Sequence, residues 1–250
     1  MSGKRVVAGF HAVTACLRHA PESIEALYVD GARRDGRMQQ LLDRAKSAGV
    51  HVTLTDGERL QRLAAGSAHQ GVVALCREVQ LACSLDDVLA QVGAGTLLLL
   101  LDGVTDPRNL GACLRTAEAA GAQAVIVPRD RSASLTPVVA AAAAGAAETL
   151  PLVAVTNLSR AMEEIREAGV WIVGAAGEAE RTLYEIDLTG PVAWALGAEG
   201  PGLRRLTREK CDWLARIPLQ GQTESLNVSV AAGVCLFETL RQRQAKAASA

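Results

Sequence analysis

Aromatic residues are scarce in this chain: three Trp, two Tyr and two Phe among 250 residues. A nucleic-acid surface built on rows of stacking rings is therefore excluded. No sign of charge dominates, the formal net charge being −1, so composition announces neither a nucleic-acid nor a membrane-surface binder. Long apolar runs are missing too, and Thr96–Leu101 is too short to span a bilayer. The first residues, MSGKRVVAGFHAV, include basic side chains but no long apolar stretch and no clear cleavage site, so no export signal is expected. The six cysteines (Cys16, Cys76, Cys83, Cys113, Cys211 and Cys235) form no CxxC pair and have no histidine cluster beside them. A metal site is not expected, and reduced cysteines inside apolar runs point to the cytoplasm. There is no GxGxxG after a strand, no Walker A sequence and no internal repeat, which removes the ordinary dinucleotide and nucleoside-triphosphate sites.

What remains is a globular α/β chain. Apolar residues make up 49% and charged residues 21%, enough for a large core and one or two domains. Residues 1–80 carry 11 Lys and Arg against 8 Asp and Glu, while the remainder carries 15 against 19, so the first part is mildly basic. Residues 4–77 alternate strand and helix patterns: strands Arg5–Gly9, Ile24–Val29, His51–Leu54 and Val72–Cys76, with helices His11–His19, Arg37–Ala48 and Asp56–Ala64 between them. Alternation of this kind predicts a three-layer unit. Residues 78–95, with one short helix Leu85–Val92 behind Ser84, read as a linker. Residues 96–250 read as a larger domain with strands at 96–101, 124–128, 150–155, 170–175, 192–196 and 213–218. The alanine-rich Val138–Ala147 is expected as a helix that packs close to a neighbour.

Three segments of the larger domain carry candidate chemistry. In Asp102–Arg115, DGVTDPRNLGACLR, a buried strand turns into a helix and presents Asn109, Gly111 and Arg115. The crevice at the carboxyl ends of an open α/β sheet is where ligands bind. As plain structure the segment needs only Asp106 as N-cap, Pro107 in the first turn and Gly121 as the stop. In Trp194–Leu203, WALGAEGPGL, three glycines surround Glu199, where a tight connection alone would need one or two. In Ile217–Glu238, a polar loop leads into a helix opening at Ser225, Leu226 and Asn227. Ser225 would be its N-cap on a purely structural reading, and Gly233 would let it pack closely.

Together and in this order, these segments resemble the three motifs of the SpoU/TrmH family of RNA ribose 2′-O-methyltransferases. The first rests on Asn109, Gly111 and Arg115, the second on Gly197, Glu199, Gly200 and Gly202, and the third on Ser225, Leu226, Asn227 and Ser229. The N-terminal GFHAV and HQGVVA, the stretch from Asn157 to Gly190 and the segment RRLTREKCD extend the likeness over nearly the whole chain, toward the bacterial large-subunit rRNA guanosine-2′-O-methyltransferases. The resemblance implies a C-terminal α/β-knot domain (a deep trefoil knot) behind a small N-terminal α/β RNA-binding domain of ribosomal-protein type. It also implies a homodimer and an S-adenosylmethionine pocket in the knot. Leu196, Gly197, Gly202, Ile217, Leu219 and Leu226 would form that pocket. The implied substrate is a guanosine of large-subunit (23S) rRNA, in the peptidyl-transferase P loop, free or in a pre-ribosomal particle.

A ribose hydroxyl is a weak acid and must lose its proton as it attacks a sulfonium methyl in line, so positioning and oxyanion stabilisation are what the protein must supply. The sulfonium carries its own activation, and no metal is called for. On the resemblance, Arg115 acts either as general base or, since a guanidinium stays charged, as a bidentate phosphate and oxyanion clamp. Asn109 and Asn227 would orient the ribose or Arg115, Glu199 would pair with Arg115 or Asn109, and Ser225 would hold the loop or a phosphate. Arg33, Arg34, Arg37, Arg204 and Arg205 are candidate RNA contacts. Three other readings remain open: a tRNA 2′-O-methyltransferase, an RNA-binding assembly factor without catalysis, and a small-molecule α/β enzyme.

Overall fold

The computed structural model describes residues 4–19, 21–77, 84–198 and 200–248. The chain divides into two compact units, Met1–Leu81 with Leu135–Thr149, and Ala82–Ser134 with Leu150–Ala250.

In the first unit, β1 (Lys4–Ala8), α1 (Phe10–His19), β2 (Ile24–Asp30), α2 (Gly36–Ser47), β3 (Val52–Thr55), α3 (Gly57–Leu63) and β4 (Val72–Arg77) follow one another. Their sheet has the order β1-β4-β2-β3. β4 runs antiparallel to both its neighbours, and β2 pairs with β3 in parallel. Strand alternation divides β4 between two faces. Val72, Ala74 and Cys76 join Val13, Leu17, Met38 and Leu41 from α1 and α2, while Val73 joins Leu60 and Ala64 on the other side. These are the three layers that the pattern predicts. The carboxylates of Asp35 and Asp56 cap α2 and α3. Each satisfies amides that a helix start leaves without partners.

The second unit contains α4 (Leu85–Leu89), β5 (Leu97–Asp102), α5 (Pro107–Ala119) and β6 (Ala124–Pro128). Next comes α6 (Pro137–Ala143), which belongs to the first unit. The second unit resumes with β7 (Leu152–Val155), α7 (Leu158–Glu167), β8 (Trp171–Ala175), β9 (Arg181–Thr182), β10 (Val192–Gly197), α8 (Arg205–Glu209), β11 (Trp213–Arg216) and α9 (Val228–Ala248). Its seven strands are ordered β7-β6-β5-β10-β8-β11-β9, and every pairing is parallel. A parallel sheet is covered on both faces, which explains why β5 is an unbroken leucine run with every residue buried. One face packs Leu98, Leu100, Ile126, Ile172 and Ala193 against Leu158, Met162 and Ile165 of α7. On the other face the buried Trp194 indole donates to Thr239 Oγ1 of α9 at 2.9 Å, the partner a buried indole requires. At the amino ends of β5 and β10, Arg243 donates to the carbonyls of Gly95 (2.7 Å), Thr96 (2.8 Å) and Gly190 (2.7 Å) and anchors α9.

The alanine-rich segment departs from expectation. The helix stops at Ala143, Ala144 takes a left-handed conformation (φ 51°), and Gly145 follows at φ 101°. A Cβ on Gly145 would lie 2.3 Å from that of Ala15. The small side chains do serve close packing, but at a sharp break and not along one helix.

Candidate active site

The chain leaves β5 toward β6 and leaves β10 toward β11, on opposite sides of the sheet. β5 and β10 are neighbours, with Asp102 and Gly197 in register at their carboxyl ends. Such a switch point opens a crevice, and the loops of all three sequence segments meet beside it.

The first segment folds by local rules. Asp106 accepts from the Arg108 amide at 2.7 Å, Pro107 occupies the first turn, and Gly121 closes the helix at φ 76°. The resulting α5 buries Gly111, half-buries Asn109 and leaves Arg115 exposed. The third segment corrects one expectation. α9 begins at Val228, and its cap is Asn227, not Ser225. Asn227 Oδ1 accepts from the Ser229 amide (3.0 Å) and hydroxyl (2.6 Å), and the Asn227 carbonyl accepts from the Ala231 amide (2.9 Å). The same side chain donates through Nδ2 to Asn109 Oδ1 at 3.0 Å. One asparagine thus starts a helix and joins residues 118 positions apart. α5 and α9 lie side by side, yet a Cβ on Gly233 would sit 3.5 Å from Thr116 Cγ2, an ordinary contact. Close packing does not require that glycine.

The second segment is a tight loop. Gly202 donates its amide to the Ala198 carbonyl at 3.0 Å, and Gly200 and Gly202 have φ of 85° and 66°. A Cβ on Gly197 would lie 1.9 Å from the Gly202 carbonyl carbon and 2.2 Å from the Leu203 amide nitrogen. The three glycines answer separate demands, positive φ at two and backbone against backbone at the third. Glu199 lies outside the described residues.

Beside this loop is a cavity of about 410 Å³. All six residues expected to hold a cofactor, Leu196, Gly197, Gly202, Ile217, Leu219 and Leu226, line it, and so does Ser225. Its opposite wall, Ala175–Glu178, was not singled out from sequence; the only signal there is a run of small residues, GAAGE, after a strand. Glu178 forms an ion pair with Arg208 at the cavity edge.

Residues 96–237 match the model of the SpoU rRNA methylase family, and residues 6–82 match that of the RNA 2′-O ribose methyltransferase substrate-binding domain. The chain belongs to the SpoU rRNA methylase family. It is 55% identical to the 23S rRNA (guanosine-2′-O-)-methyltransferase RlmB of Bordetella pertussis over 244 residues, 98% of this chain and 100% of the relative. Among solved structures it is similar to the SpoU methyltransferase AviRb of Streptomyces viridochromogenes in complex with AdoMet. That match has a TM-score of 0.78 and 26% identity and covers 97% of this chain and 91% of AviRb. The A. aeolicus TrmH/SpoU tRNA modifying enzyme is also similar (TM-score 0.56, 27% identity), covering 65% of this chain and 86% of that one.

The cavity suits the cofactor of a SpoU methylase. Leucine and isoleucine side chains offer an apolar slot, and Gly177, Gly200 and Gly202 have open space where a Cβ would stand. A ligand can therefore lie against backbone. Burial pushes the thiols of Cys113 and the half-buried Cys211 up to about 12, which keeps both protonated at neutral pH. Cys83 lies outside the described residues.

The basic candidates part company. Arg33 is held internally, its guanidinium 4.6 Å from the Phe10 ring centre, ion-paired with Asp35 and donating to the Gln70 carbonyl. Arg34 and Arg37 are exposed. Arg204 pairs with the buried Asp102, and Arg205 is exposed beside it.

Proposed function

We propose that this protein transfers a methyl group from S-adenosylmethionine to the 2′-hydroxyl of a guanosine in large-subunit rRNA, within the peptidyl-transferase P loop. The observation that carries the reading is the Asn109–Asn227 hydrogen bond, which sets the first and third motifs side by side next to the glycine-walled cavity. Full-length similarity to RlmB supports the rRNA guanosine as substrate. Against a tRNA substrate stands the A. aeolicus enzyme, whose match leaves about a third of this chain unmatched.

Bound in the cavity, S-adenosylmethionine would supply an electrophilic methyl. Leu196, Gly197, Gly202, Ile217, Leu219 and Leu226 would hold it. Asn227 fixes the Asn109 amide, which would orient the ribose. Arg115 on the same helix would hold a neighbouring phosphate with two parallel hydrogen bonds and stabilise the oxyanion as the hydroxyl proton leaves. Glu199 and Ser225 would steady this arrangement.

The account extends to assembly. Val230 and Phe237 are 52% and 47% exposed along one face of α9, with Val234 between them. An apolar stripe next to Asn227 supports a homodimer with the site at its interface. β10 lying between β5 and β8 supports a knotted chain. Among the described residues no helix is long and apolar enough to cross a membrane, in keeping with a cytoplasmic enzyme that meets rRNA or a pre-ribosomal particle.

Labelled S-adenosylmethionine, rRNA from cells lacking the modification and mapping of 2′-O-methyl sites test the reading. One labelled P-loop guanosine is expected. Label on tRNA alone, or cofactor binding without transfer to rRNA or assembling particles, would overturn it.

A further inference from the structure

A second concavity, about 720 Å³, opens over the carboxyl ends of β5, β6 and β7. Asp102, Asp130, Arg131, Asn157, Arg204 and Arg205 are among its walls. Among the described residues it shares no lining residue with the cofactor cavity. We propose that this cleft seats the phosphodiester backbone of the RNA substrate beside the target nucleotide, with Arg131 and Arg205 as its contacts. The proposal rests on the methyltransferase reading above.

Charge is the first argument. The Asp102 side chain is 1% exposed; it accepts the Arg204 amide at 3.0 Å and pairs with the Arg204 guanidinium at 3.5 Å. Its charge faces inward and sets Arg204 in place. Among the described residues the cleft then shows solvent Arg131, Arg205 and the outer edge of Arg204 against one exposed carboxylate, Asp130. Arg205 also meets Glu209 at 2.6 Å, but both side chains are more than half exposed, and such pairs yield readily to a phosphate.

The second argument is conformational. Arg131 has φ 57°, a left-handed geometry that costs a non-glycine residue about 1 kcal/mol or more. Its loop is tied down, since Ser132 Oγ (3.3 Å) and the Ala133 amide (2.9 Å) both donate to the Val104 carbonyl. Val104 stands in the turn that leads to Asp106 and Asn109. The strained loop thus holds Arg131 in a fixed relation to the first motif. Chemistry supplies the third argument: among the described residues no aromatic side chain lines the cleft, so bases have nothing to stack on, whereas guanidinium forks on a loop (Arg131) and at a helix start (Arg205) match phosphate oxygens.

The test is binding of a P-loop rRNA fragment by fluorescence anisotropy across a salt series, with Arg131→Gln, Arg131→Gly, Arg205→Gln and the Arg131→Gln/Arg205→Gln double variant. Each single change should weaken binding about fivefold and lower the slope of log K against log salt by about one. S-adenosylmethionine affinity should stay unchanged. Arg131→Gly should melt no lower than the parent because glycine accepts the left-handed backbone. Arg181→Gln, at a residue stacked on Trp213 away from the cleft, serves as the control for general loss of charge. Unchanged affinity and slope in the double variant, or an equal loss in Arg181→Gln, would overturn the proposal. RNA binding is read without methyl transfer, so failure of the cleft is distinguishable from failure of the enzymatic reading, which would show as absent cofactor binding or absent transfer by the parent protein.

Discussion

The two halves of the candidate active site are made of different material. The cofactor cavity is built from backbone: Gly197 meets the Gly202 carbonyl and the Leu203 amide with no room for a side chain, and the Gly202 amide closes the loop by donating to the Ala198 carbonyl. The proposed transfer side is built from side chains, Asn109 and Arg115 on α5 and Asn227 at the start of α9. A backbone wall fails all at once when an atom is added, because no rotamer can relieve the clash. A side-chain constellation fails one function at a time.

Gly197→Ala should therefore be the single change most damaging to cofactor binding, lowering S-adenosylmethionine affinity by about 100-fold or more, since a backbone clash cannot be repacked. Calorimetric titration reads it directly; affinity within threefold of the parent would mean the loop is soft and the comparison false.

Asn227 divides the other half more finely. Asn227→Ala should cost about 1 kcal/mol of stability through loss of the cap, a fall of about 2–4 °C in melting temperature for a domain of this size. It should also slow methyl transfer about tenfold through loss of orientation at Asn109. Asn227→Asp keeps the capping oxygen but has no amide to give Asn109, so it should restore the melting temperature and leave the rate low. Recovery of both would show that Asn227 is only a cap.

The glycine loop and the helix-start segment were legible as motifs because their demands are local. Asp106, Pro107 and Gly121 do what their types do at helix ends, and three glycines within six residues have few other uses. The meeting of Asn109 with Asn227 was not legible from local pattern. It depends on β10 inserting beside β5, a long-range choice that no periodicity encodes. The same limit hid Ala175–Glu178 as a cavity wall and made Arg33, which stacks on Phe10, look like a free loop arginine. Ser225 reads as the cap from sequence because it stands directly before the apolar helix pattern begins; Asn227, two positions on, makes the bonds.

A smaller effect concerns how α9 is held. Glu238 accepts from Arg241 and Gln242, and Gln242 also donates to the Ile186 carbonyl. The Arg241 bond, opposed by burial, holds the Glu238 carboxyl below its ordinary 4.5. A lowered folded-state pKa means stabilisation that is complete above pH 4.5 and lost as pH falls through the lowered value. Unfolding titrations should show the parent losing more stability on acidification in that range than Glu238→Gln. Parallel acid curves would remove the carboxylate from the anchoring of α9.

The smallest expected effect is at Gly233. A methyl there makes ordinary contact with Thr116, and alanine is the better helix former. Gly233→Ala should be neutral or stabilising by up to about 1 kcal/mol, with unchanged transfer rate. A large loss would show the α5–α9 contact to be tighter than it stands here.

The most direct measurement is the pairing of two numbers on Arg115→Ala: S-adenosylmethionine affinity, and the single-turnover rate of methyl transfer to P-loop rRNA. The account predicts unchanged affinity, because Arg115 is not among the residues lining the cavity, with a rate lower by about 100- to 1000-fold through loss of oxyanion and phosphate stabilisation. An unchanged rate, or a loss of affinity that accounts for the whole fall in rate, would contradict the division of the site into a backbone cradle and a side-chain catalyst.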